Sequence, residues 1–287
     1  MSGAEQSQDD ASIEVAVIGG SGFEELLLGG ATTLPPRESR WGTVPEITVG
    51  DLAGRRVAFV PRHGVGHRLP PHRVNARALL WGVRSLGARV LVSSNAVGGL
   101  DAALHPGDLV LTDQLIDRTH GRADTYFDGE EGGAGVQHLP FAEPYDRRLR
   151  EIALEVLTRS GERVHPAGTS VVIQGPRFAT AAEADWHRAM GAQLVNMTQL
   201  PEAALAAELG FAHVNIAIVT DTDTEHGDTE SDTSVTAERV FAVMAQARPR
   251  LSAAVAAIVA AIPHGYTPAP RLSPEVVDRL LASGGRP

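Results

Sequence analysis

Short, continuous apolar runs recur along this chain, and helical patterns separate several of them. The first run, IEVAVIG at 13–19, leads directly into a glycine turn; the others occupy 55–60, 89–94, 108–113, 169–174 and 213–219. Strands that are apolar on both faces are typical of parallel sheets covered by helices on both sides. We therefore predict an α/β fold, a single domain with a central mixed, mainly parallel β-sheet flanked by helices.

Apolar residues at helical spacing, bounded by glycine or proline, predict helices over 72–87, 146–161 and 201–210, from 236 onward and from 273 onward. Pro249 is expected to kink or interrupt the fourth helix, because proline lacks the N–H that a helix interior uses. Residues 1–12 are small and polar, so we expect a disordered tail ahead of one domain at 13–287. The aperiodic stretch 121–145 is expected to cover a site or to reach a neighbouring subunit.

Composition excludes several kinds of chemistry. The 287 residues include 25 basic and 35 acidic side chains, for a formal charge of −10; every basic residue is an arginine, and there is no cysteine. Without lysine and cysteine the chain forms no Schiff base, Walker loop, thiol nucleophile, cysteine-bound metal site or disulfide. Net acidity argues against a nucleic-acid partner. The start has no signal-peptide pattern and no apolar run reaches the length of a membrane span, which predicts a cytoplasmic protein without membrane contact.

Polar clusters follow two of the early predicted strands. Gly20, Ser21 and Gly22 form either a nest that holds one phosphate or an ordinary tight turn, since Glu25 replaces the third glycine of a dinucleotide fingerprint. The segment 61–77 then concentrates seven arginine and histidine side chains. Its glycines and prolines disfavour a histidine metal pair on a helix, whereas guanidinium groups suit a tetrahedral oxyanion. A solvated basic loop is the alternative.

Two further clusters follow later strands. SSNAVGGL at 93–100 offers small hydrogen-bonding residues at a strand end, where ligands gather in open α/β sheets. Asp221 and Asp223 follow the strand at 213–219. Two carboxylates at this spacing could ligate a divalent metal with a nucleotide diphosphate, hold a proton for general acid catalysis, or simply form an Asx turn and a helix cap.

Seven sequence motifs occur in a fixed order along the chain and span roughly residues 13–262. They are IGGSGFEEL, RHGVGHRLPPHRVNARALLWGVRSLGA, NAVGGL with PGDLVLTDQLIDRT, HLPFAEPYD, QGPRFAT, MTQLPEAALAAELG and VTDTD. Taken together and in this order, they resemble the methylthioadenosine phosphorylase branch of the trimeric purine nucleoside phosphorylases. The resemblance implies that phosphate attacks C1′ of 5′-methylthioadenosine, which releases adenine and 5-methylthioribose 1-phosphate in purine and methionine salvage. It implies no metal and no cofactor, with inorganic phosphate as the co-substrate.

The resemblance also implies roles for individual residues. Phosphate would be bound by Ser21, Arg62, His63, Asn95, Ala96 (through its amide) and Thr198. The nucleoside would be bound by Phe178 against the purine, Met197 at the ribose, Asp221 and Asp223 at the base, and His138 from an adjacent subunit. Asp221 would be the catalytic group that shares or donates a proton to the leaving purine. Ala179 and Ala237 would influence specificity, and the enzyme would be a homotrimer.

Two alternatives to this assignment stay open. Asn95 in NAVGG resembles the phosphorylases of 6-oxopurine nucleosides, and Thr222 replaces the aromatic residue frequently found between the two aspartates. Phosphorolysis of inosine, guanosine or methylthioinosine is therefore the second hypothesis. A metal-dependent nucleotide-sugar transferase that uses Asp221 and Asp223 is the third.

Overall fold

The computed structural model describes residues 12–20, 29–129, 135–222 and 236–285. These residues form eleven strands and six α-helices. The strands are β1 (Val15–Gly19), β2 (Gly29–Leu34), β3 (Ile47–Leu52), β4 (Arg55–Pro61), β5 (Val90–Gly99), β6 (Leu109–Leu111), β7 (Gln114–Arg118), β8 (Val164–His165), β9 (Thr169–Ile173), β10 (Leu194–Asn196) and β11 (Ala212–Thr222). The helices are α1 (Ala76–Ser85), α2 (Arg147–Arg159), α3 (Ala181–Ala189), α4 (Gln199–Glu208), α5 (Ala237–Ala261) and α6 (Pro274–Ser283).

All eleven strands belong to one mixed, mainly parallel sheet. Its main path is β2-β3-β4-β1-β5-β10-β9-β7, and β11 leaves this path to pair with β5 and β6, while β8 pairs with β6. The central neighbours β4, β1, β5 and β11 run parallel, whereas β2 and β3 form an antiparallel extension at one edge. The predicted fold class, a single α/β domain on such a sheet, is confirmed.

Both faces of the central strands of the sheet are buried, as the apolar runs predict. In β1, Val15 and Val17 face a core that includes residues of α2 and α5, while Ala16 and Ile18 face a second core with residues of α1, α4 and α6. Successive strand residues point to opposite faces, so a strand with helices on both sides needs apolar residues at every position. This requirement is why β1 is apolar throughout.

Local signals fix where the helices begin. Asn75 caps α1, Asp146 caps α2 and Thr236 caps α5, each by accepting a hydrogen bond from a backbone N–H of the first turn. The helix predicted over 72–87 therefore starts later than expected, because Pro71–Arg73 form a separate 3₁₀ turn before the cap. Leu200 is extended within α4, so its continuous part begins at Pro201, as predicted.

Of the two effects expected of Pro249, a kink or an interruption of the long helix, the interruption does not occur. α5 runs without a break from Ala237 to Ala261, with Pro249 inside it. Pro249 lies on the exposed side of the helix, and buried residues such as Met244 and Leu251 on either side anchor α5 to the core. Packing of the apolar face thus outweighs the hydrogen bond that proline removes.

Residues 1–11 lie outside the described part of the chain, so the disordered tail stays a prediction. The described parts of 121–145 contain no regular helix or strand, as expected, although Tyr126 and Phe127 are buried. Among the described helices, none has the length and apolarity of a membrane span.

Candidate active site

A cavity of about 420 Å³ opens where the carboxyl ends of the central strands meet. Residues at or just after the ends of β1, β4 and β11 and along β5 form its floor. The segments that follow β9 and β10, together with the first turns of α5, form its sides. Ligands of open α/β sheets bind at this edge, so the fold itself makes the cavity the candidate site.

The cavity brings together most of the site residues predicted from the sequence. Two of the predicted residues, Ser21 and Asp223, lie outside the described residues. His138 is exposed and is not among the residues that line the cavity of its own chain. The predicted residues that line the cavity are Arg62, His63, Asn95, Ala96, Phe178, Ala179, Met197, Thr198, Asp221 and Ala237.

Arg62 is held by a buried carboxylate. Its Nε and Nη2 atoms donate to the two carboxylate oxygens of Glu202 at 2.6 and 2.9 Å, and its Nη1 donates to the Ser94 carbonyl at 2.8 Å. The two charged side chains are only 1% and 4% exposed. A guanidinium has five N–H donors, so two remain, one on each terminal nitrogen, for a ligand in the cavity.

The backbone before Ser21 passes unusually close to Arg62. A Cβ atom added at Gly20 would lie 2.7 Å from the Ser94 carbonyl oxygen and 3.0 Å from Arg62 Nη1. Only glycine fits this approach without displacing backbone. The position therefore requires glycine whether or not the following residues form a phosphate nest.

His63 is a neutral side chain in this structure. Its Nδ1 lies 2.8 Å from the Leu69 carbonyl oxygen, which only accepts hydrogen bonds, so Nδ1 carries the proton. Burial, with a smaller contribution from the adjacent Arg62 cation, lowers the pKa of His63 to about 3. His63 consequently offers the cavity a hydrogen-bond acceptor at Nε2 rather than a positive charge.

A buried hydrogen-bond network orients the amide of Asn95. Asn215, which is fully buried, donates from Nδ2 to Asn95 Oδ1 and, at 2.9 Å, to Ser93 Oγ. Asn95 Nδ2 therefore faces Thr198 and donates to its hydroxyl oxygen at 2.5 Å. Because Thr198 Oγ1 already accepts this bond, its own O–H is left to donate into the cavity.

Asn215 uses all of its hydrogen-bonding capacity within this network. Its Oδ1 accepts from Thr112 Oγ1 at 3.1 Å and from Gln199 Nε2 at 2.5 Å, while its amide nitrogen makes the two bonds described above. An asparagine has two donors and room for two acceptor bonds, so its orientation is fixed from both ends. A fully satisfied buried network of this kind is rigid.

A β-bulge aims Asp221 at the cavity. β11 and β5 pair regularly up to Val219 opposite Val97, and the next pair is Asp221 opposite Gly98, which leaves Thr220 as an extra residue. The bulge moves Asp221 to the face opposite Val219, which packs in an apolar cluster. Thr220 and Asp221 both line the cavity, and their Oγ1 and Oδ1 atoms are 2.7 Å apart.

Phe178 and Met197 lie on two neighbouring segments at the side of the cavity. Phe178 is 40% exposed, so it is not a core phenylalanine. The two segments touch at Gly175, which has a positive φ of 63° and where an added Cβ would lie 2.5 Å from Met197 Sδ. Ala179 lines the cavity beside Phe178.

The opposite side of the cavity is largely apolar. Ala237, Val240 and Phe241 from the first turns of α5 line it. The rings of Phe241 and His67 meet edge to face at 5.2 Å, and His67 stacks on His63 with ring centroids 4.2 Å apart. This row of rings connects the side of α5 with the side of Arg62.

Sequence reasoning missed Glu202 and Asn215. Both carry a detectable signal, because Glu202 is a charged residue in the largely apolar PEAALAAEL helix and Asn215 is a polar residue inside the buried run HVNIAIV. A buried polar group in such a context must have a partner. The sequence does not name that partner, which lies 140 residues away for Glu202 and 120 residues away for the Asn215–Asn95 bond.

Comparison with known proteins agrees with this geometry. The family model of the Phosphorylase superfamily matches residues 14–260. S-methyl-5'-thioadenosine phosphorylase of Mycobacterium tuberculosis is 46% identical over 73% of this chain and 75% of its own length. The 6-oxopurine nucleoside phosphorylase of Pyrococcus furiosus is 40% identical over 72% of this chain and 78% of its own length.

A solved structure shares the fold. Methylthioadenosine phosphorylase from Schistosoma mansoni, in complex with adenine, superposes with a TM-score of 0.79 and 31% identity, covering 86% of this chain and 91% of that chain. The chain therefore belongs to the Phosphorylase superfamily, among the purine nucleoside and methylthioadenosine phosphorylases.

Proposed function

We propose that this enzyme cleaves 5′-methylthioadenosine with inorganic phosphate to give adenine and 5-methylthioribose 1-phosphate. The observation that carries the proposal is the combination, in one cavity, of anion-binding groups around Arg62, the carboxylate of Asp221 and an apolar wall on α5. Phosphorolysis of a purine nucleoside needs a phosphate site, a group that assists departure of the base, and a slot for a flat ring. Names of relatives such as the M. tuberculosis enzyme support the same reaction.

Phosphate is the nucleophile in this proposal. The two unused N–H groups of Arg62, the hydroxyl of Thr198 and the backbone amide of Ala96 donate to its oxygens, and Ser21 and Asn95 contribute further donors. Neutral His63 accepts a hydrogen bond from a protonated phosphate oxygen. A phosphate anion held under C1′ attacks that carbon and stabilises the positive charge that develops on the ribose.

Asp221 assists the leaving purine. The C1′–N9 bond breaks with its electron pair moving to the base, and the protonated carboxyl of Asp221 shares or donates the proton that N7 takes up. The carboxylate that remains only accepts hydrogen bonds, so it fits a 6-amino group and a protonated N7. A 6-oxo group would present a second acceptor, and such a mismatch reduces kcat/KM by a factor on the order of 10⁴.

Phosphorolysis of 6-oxopurine nucleosides is the second candidate. Asn95 stands in the NAVGG motif that resembles enzymes of that class, and the P. furiosus relative is a 6-oxopurine nucleoside phosphorylase. In the structure the Asn95 amide bonds to Asn215 and Thr198, which lie on the phosphate side of the cavity. That position favours a role in phosphate binding, which both reactions share, over a role in choosing the base.

We also propose a homotrimer in which His138 completes the 5′ pocket of an adjacent chain. His138 is exposed on its own chain, and the rim of the cavity presents the half-exposed rings of Phe178 and Phe241. Sedimentation equilibrium should give three times the mass of the 30.3 kDa chain. His138→Ala should weaken discrimination of the 5′ substituent; unchanged discrimination would remove this residue from the pocket.

Steady-state phosphorolysis of methylthioadenosine, adenosine, methylthioinosine and inosine tests the function. Each reaction is run with excess EDTA and with a phosphate-free control. We expect kcat/KM to be highest for methylthioadenosine, with an absolute requirement for phosphate and no effect of the chelator. Preference for an inosine-type substrate would establish the second candidate, and loss of activity with EDTA would support a metal-dependent transferase instead.

A further inference from the structure

Arg122 makes an unusual set of hydrogen bonds beside the cavity. Its Nε donates to Gln174 Oε1 at 3.1 Å, and its Nη2 donates to the carbonyl oxygens of Gln174 at 2.7 Å and Ile173 at 3.5 Å. Its Nη1 donates to the carbonyl oxygens of Met197 at 2.9 Å and Leu200 at 2.7 Å. All five N–H donors of the guanidinium are thus used by the protein, so Arg122 has no donor left for substrate.

These bonds join two segments just where the β-sheet stops holding them together. β9 and β10 pair in register only as far as Val172 opposite Asn196. Ile173 and Met197 are the next residues along each strand, and their carbonyl oxygens are two of those that Arg122 binds. At the edge of the cavity, hydrogen bonds from Arg122 therefore hold the two segments together in place of the hydrogen bonds between β9 and β10.

The two joined segments carry the side chains of Phe178 and Met197, which line the cavity. Phe178 follows Gln174 along one segment, and Met197 belongs to the other. They already touch, since a Cβ atom at Gly175 would lie 2.5 Å from Met197 Sδ. The distance between Phe178 and Met197 consequently depends on how closely Arg122 holds the two backbones.

The phosphate side of the cavity has separate supports. Thr198 is held by its backbone N–H, which donates to Asn196 Oδ1 at 2.9 Å, and by the bond from Asn95 to its hydroxyl. Arg62 is held by Glu202. None of these bonds involves Arg122. Thr198 follows Met197 on a segment that Arg122 binds, but its side chain is held by Asn95, and Arg62 and Asn95 lie on other segments. Loosening the Arg122 contacts should therefore disturb the phosphate groups less than it disturbs Phe178 and Met197.

Withdrawing the Arg122 cation partly from water costs free energy. Desolvation lowers the pKa of Arg122, and the nearby Asp117 offsets only part of that effect. A planar fork with five donors in fixed directions can bind all five acceptors on the two segments, whereas a lysine ammonium has only three N–H donors.

We propose that Arg122 is a positioning residue for the nucleoside, which sets the spacing of the Phe178 and Met197 segments and thereby the affinity for the purine and ribose. This inference rests on the proposed function, because it takes these two segments as the walls of the nucleoside site. It assigns Arg122 no contact with either substrate. It predicts that the KM for nucleoside and the KM for phosphate respond differently to its replacement.

The test is Arg122→Lys, with kcat and both KM values measured on the nucleoside that the wild-type enzyme cleaves best. We expect the nucleoside KM to rise about tenfold or more, while the phosphate KM changes less than twofold. Gln174→Ala removes one acceptor only and should give a smaller shift in the same direction, which keeps the test available if Arg122→Lys does not fold.

Arg77→Lys is the matched control. Arg77 also binds the loop that follows β7, through the Thr125 carbonyl and the Asp128 carboxylate, but it bonds neither cavity segment. It should leave both KM values unchanged, with circular dichroism confirming that each variant is folded. Equal changes in the two KM values of Arg122→Lys and Gln174→Ala, or no change in either, would overturn the role of Arg122. Absence of phosphorolysis by the wild-type enzyme would instead overturn the proposed function.

Discussion

At the scale of single residues, the buried pair of Arg62 and Glu202 connects the stability of the fold with the proposed phosphate site. Both side chains are withdrawn from water, and each compensates the charge of the other. A pair of this kind adds little net stability, because the cost of desolvation offsets much of the attraction. The pair instead fixes the orientation of the Arg62 guanidinium. Glu202 binds one edge of this group, and the other edge faces the cavity.

Glu202→Gln should therefore destabilise the fold by about 3 kcal/mol, because it leaves a buried cation uncompensated. Added phosphate should raise the melting temperature of this variant more than that of the wild type, since the anion replaces the missing charge. Thermal unfolding with and without phosphate measures both effects. Glu143→Gln, which breaks an exposed pair with Arg147, is the control and should leave stability nearly unchanged. Equal phosphate shifts in Glu202→Gln and wild type would contradict this account.

Asp221→Asn should shift the preference of the enzyme from 6-amino to 6-oxo purine nucleosides. The amide offers a donor to a 6-oxo group, so cleavage of inosine-type substrates should be kept or increased while cleavage of methylthioadenosine falls by a factor of about 100 or more. The ratio of the two kcat/KM values is the quantity to measure. A uniform loss on both substrate classes would show that Asp221 does not contact the base.

Two buried histidines predict how stability depends on pH. Burial is the main cause that lowers the pKa of both His63 and His213 to about 3, from 6.5 in the unfolded chain. Between pH 6.5 and 3 the unfolded state binds more protons, so acidification lowers the free energy of unfolding by about 1.4 kcal/mol per pH unit for each histidine. His213→Gln should make this slope shallower, as chemical denaturation at several pH values would show. An identical slope in His213→Gln and in the wild type would refute the assignment.

Residues after strand ends were the predictable part of the site. Arg62 and His63 lie just after the end of β4 and Asp221 lies near the end of β11, and a parallel sheet collects such positions at one edge. Asn95, which was expected to follow the strand at 89–94, lies within β5, because that strand continues to Gly99. Arg122 was not predictable in the same way, because its partners are backbone carbonyl oxygens 51 to 78 residues away. Every residue has a backbone carbonyl group, so the sequence does not show which of them accept a hydrogen bond from a distant side chain.

Elements that the sequence revealed differ physically from those it did not. β1, β4, β5 and β11 are buried on both faces and carry long apolar runs, so all four were predicted. β2 is almost fully exposed, and β8 and β10 have only two and three residues. Strands of that kind depend on pairing with neighbours, and a run of so few residues has no readable periodicity.

The bulge in β11 also cannot be predicted from the sequence, although it determines the direction in which the Asp221 side chain points. Thr220 is one extra residue in an otherwise regular pairing with β5. Nothing in the letters VTDTD distinguishes it from a regular strand, in which Asp221 would share the face of Val219. The sequence predicted that Asp221 belongs to the site but not how the strand presents it.

Pro249→Ala tests the energetic account of α5. The substitution restores a helix hydrogen bond and removes no buried surface, because Pro249 is exposed. It should raise the free energy of unfolding by about 1 to 3 kcal/mol without altering kinetics. Chemical denaturation of Pro249→Ala beside the exposed neighbour Arg248→Ala provides the comparison. No stabilisation of Pro249→Ala would mean that α5 is built to accommodate the proline.

For the whole molecule, fold class was predictable and strand order was not. Alternating apolar strands and helices predict a helix-covered sheet in one domain, and the structure has that form. The place of β11 beside β5 rather than at an edge is what brings Asp221 next to the segment of Asn95. That neighbourhood arises from pairing between residues more than 100 positions apart, for which local patterns carry no information.

The compensated charge of Arg62 also has a consequence for how ionic strength affects the reaction. The protein carries a formal charge of −10, and Glu202 already neutralises Arg62, the arginine that we propose for the phosphate site, so the long-range field repels the phosphate anion. Salt screens such fields over about 10 Å at 0.1 M. Raising the concentration of an inert salt should thus increase kcat/KM for phosphate and leave kcat/KM for the uncharged nucleoside unchanged. A decrease of kcat/KM for phosphate would instead indicate a basic path to the cavity. Phosphate would then be attracted by long-range electrostatics and not only by contacts within the site.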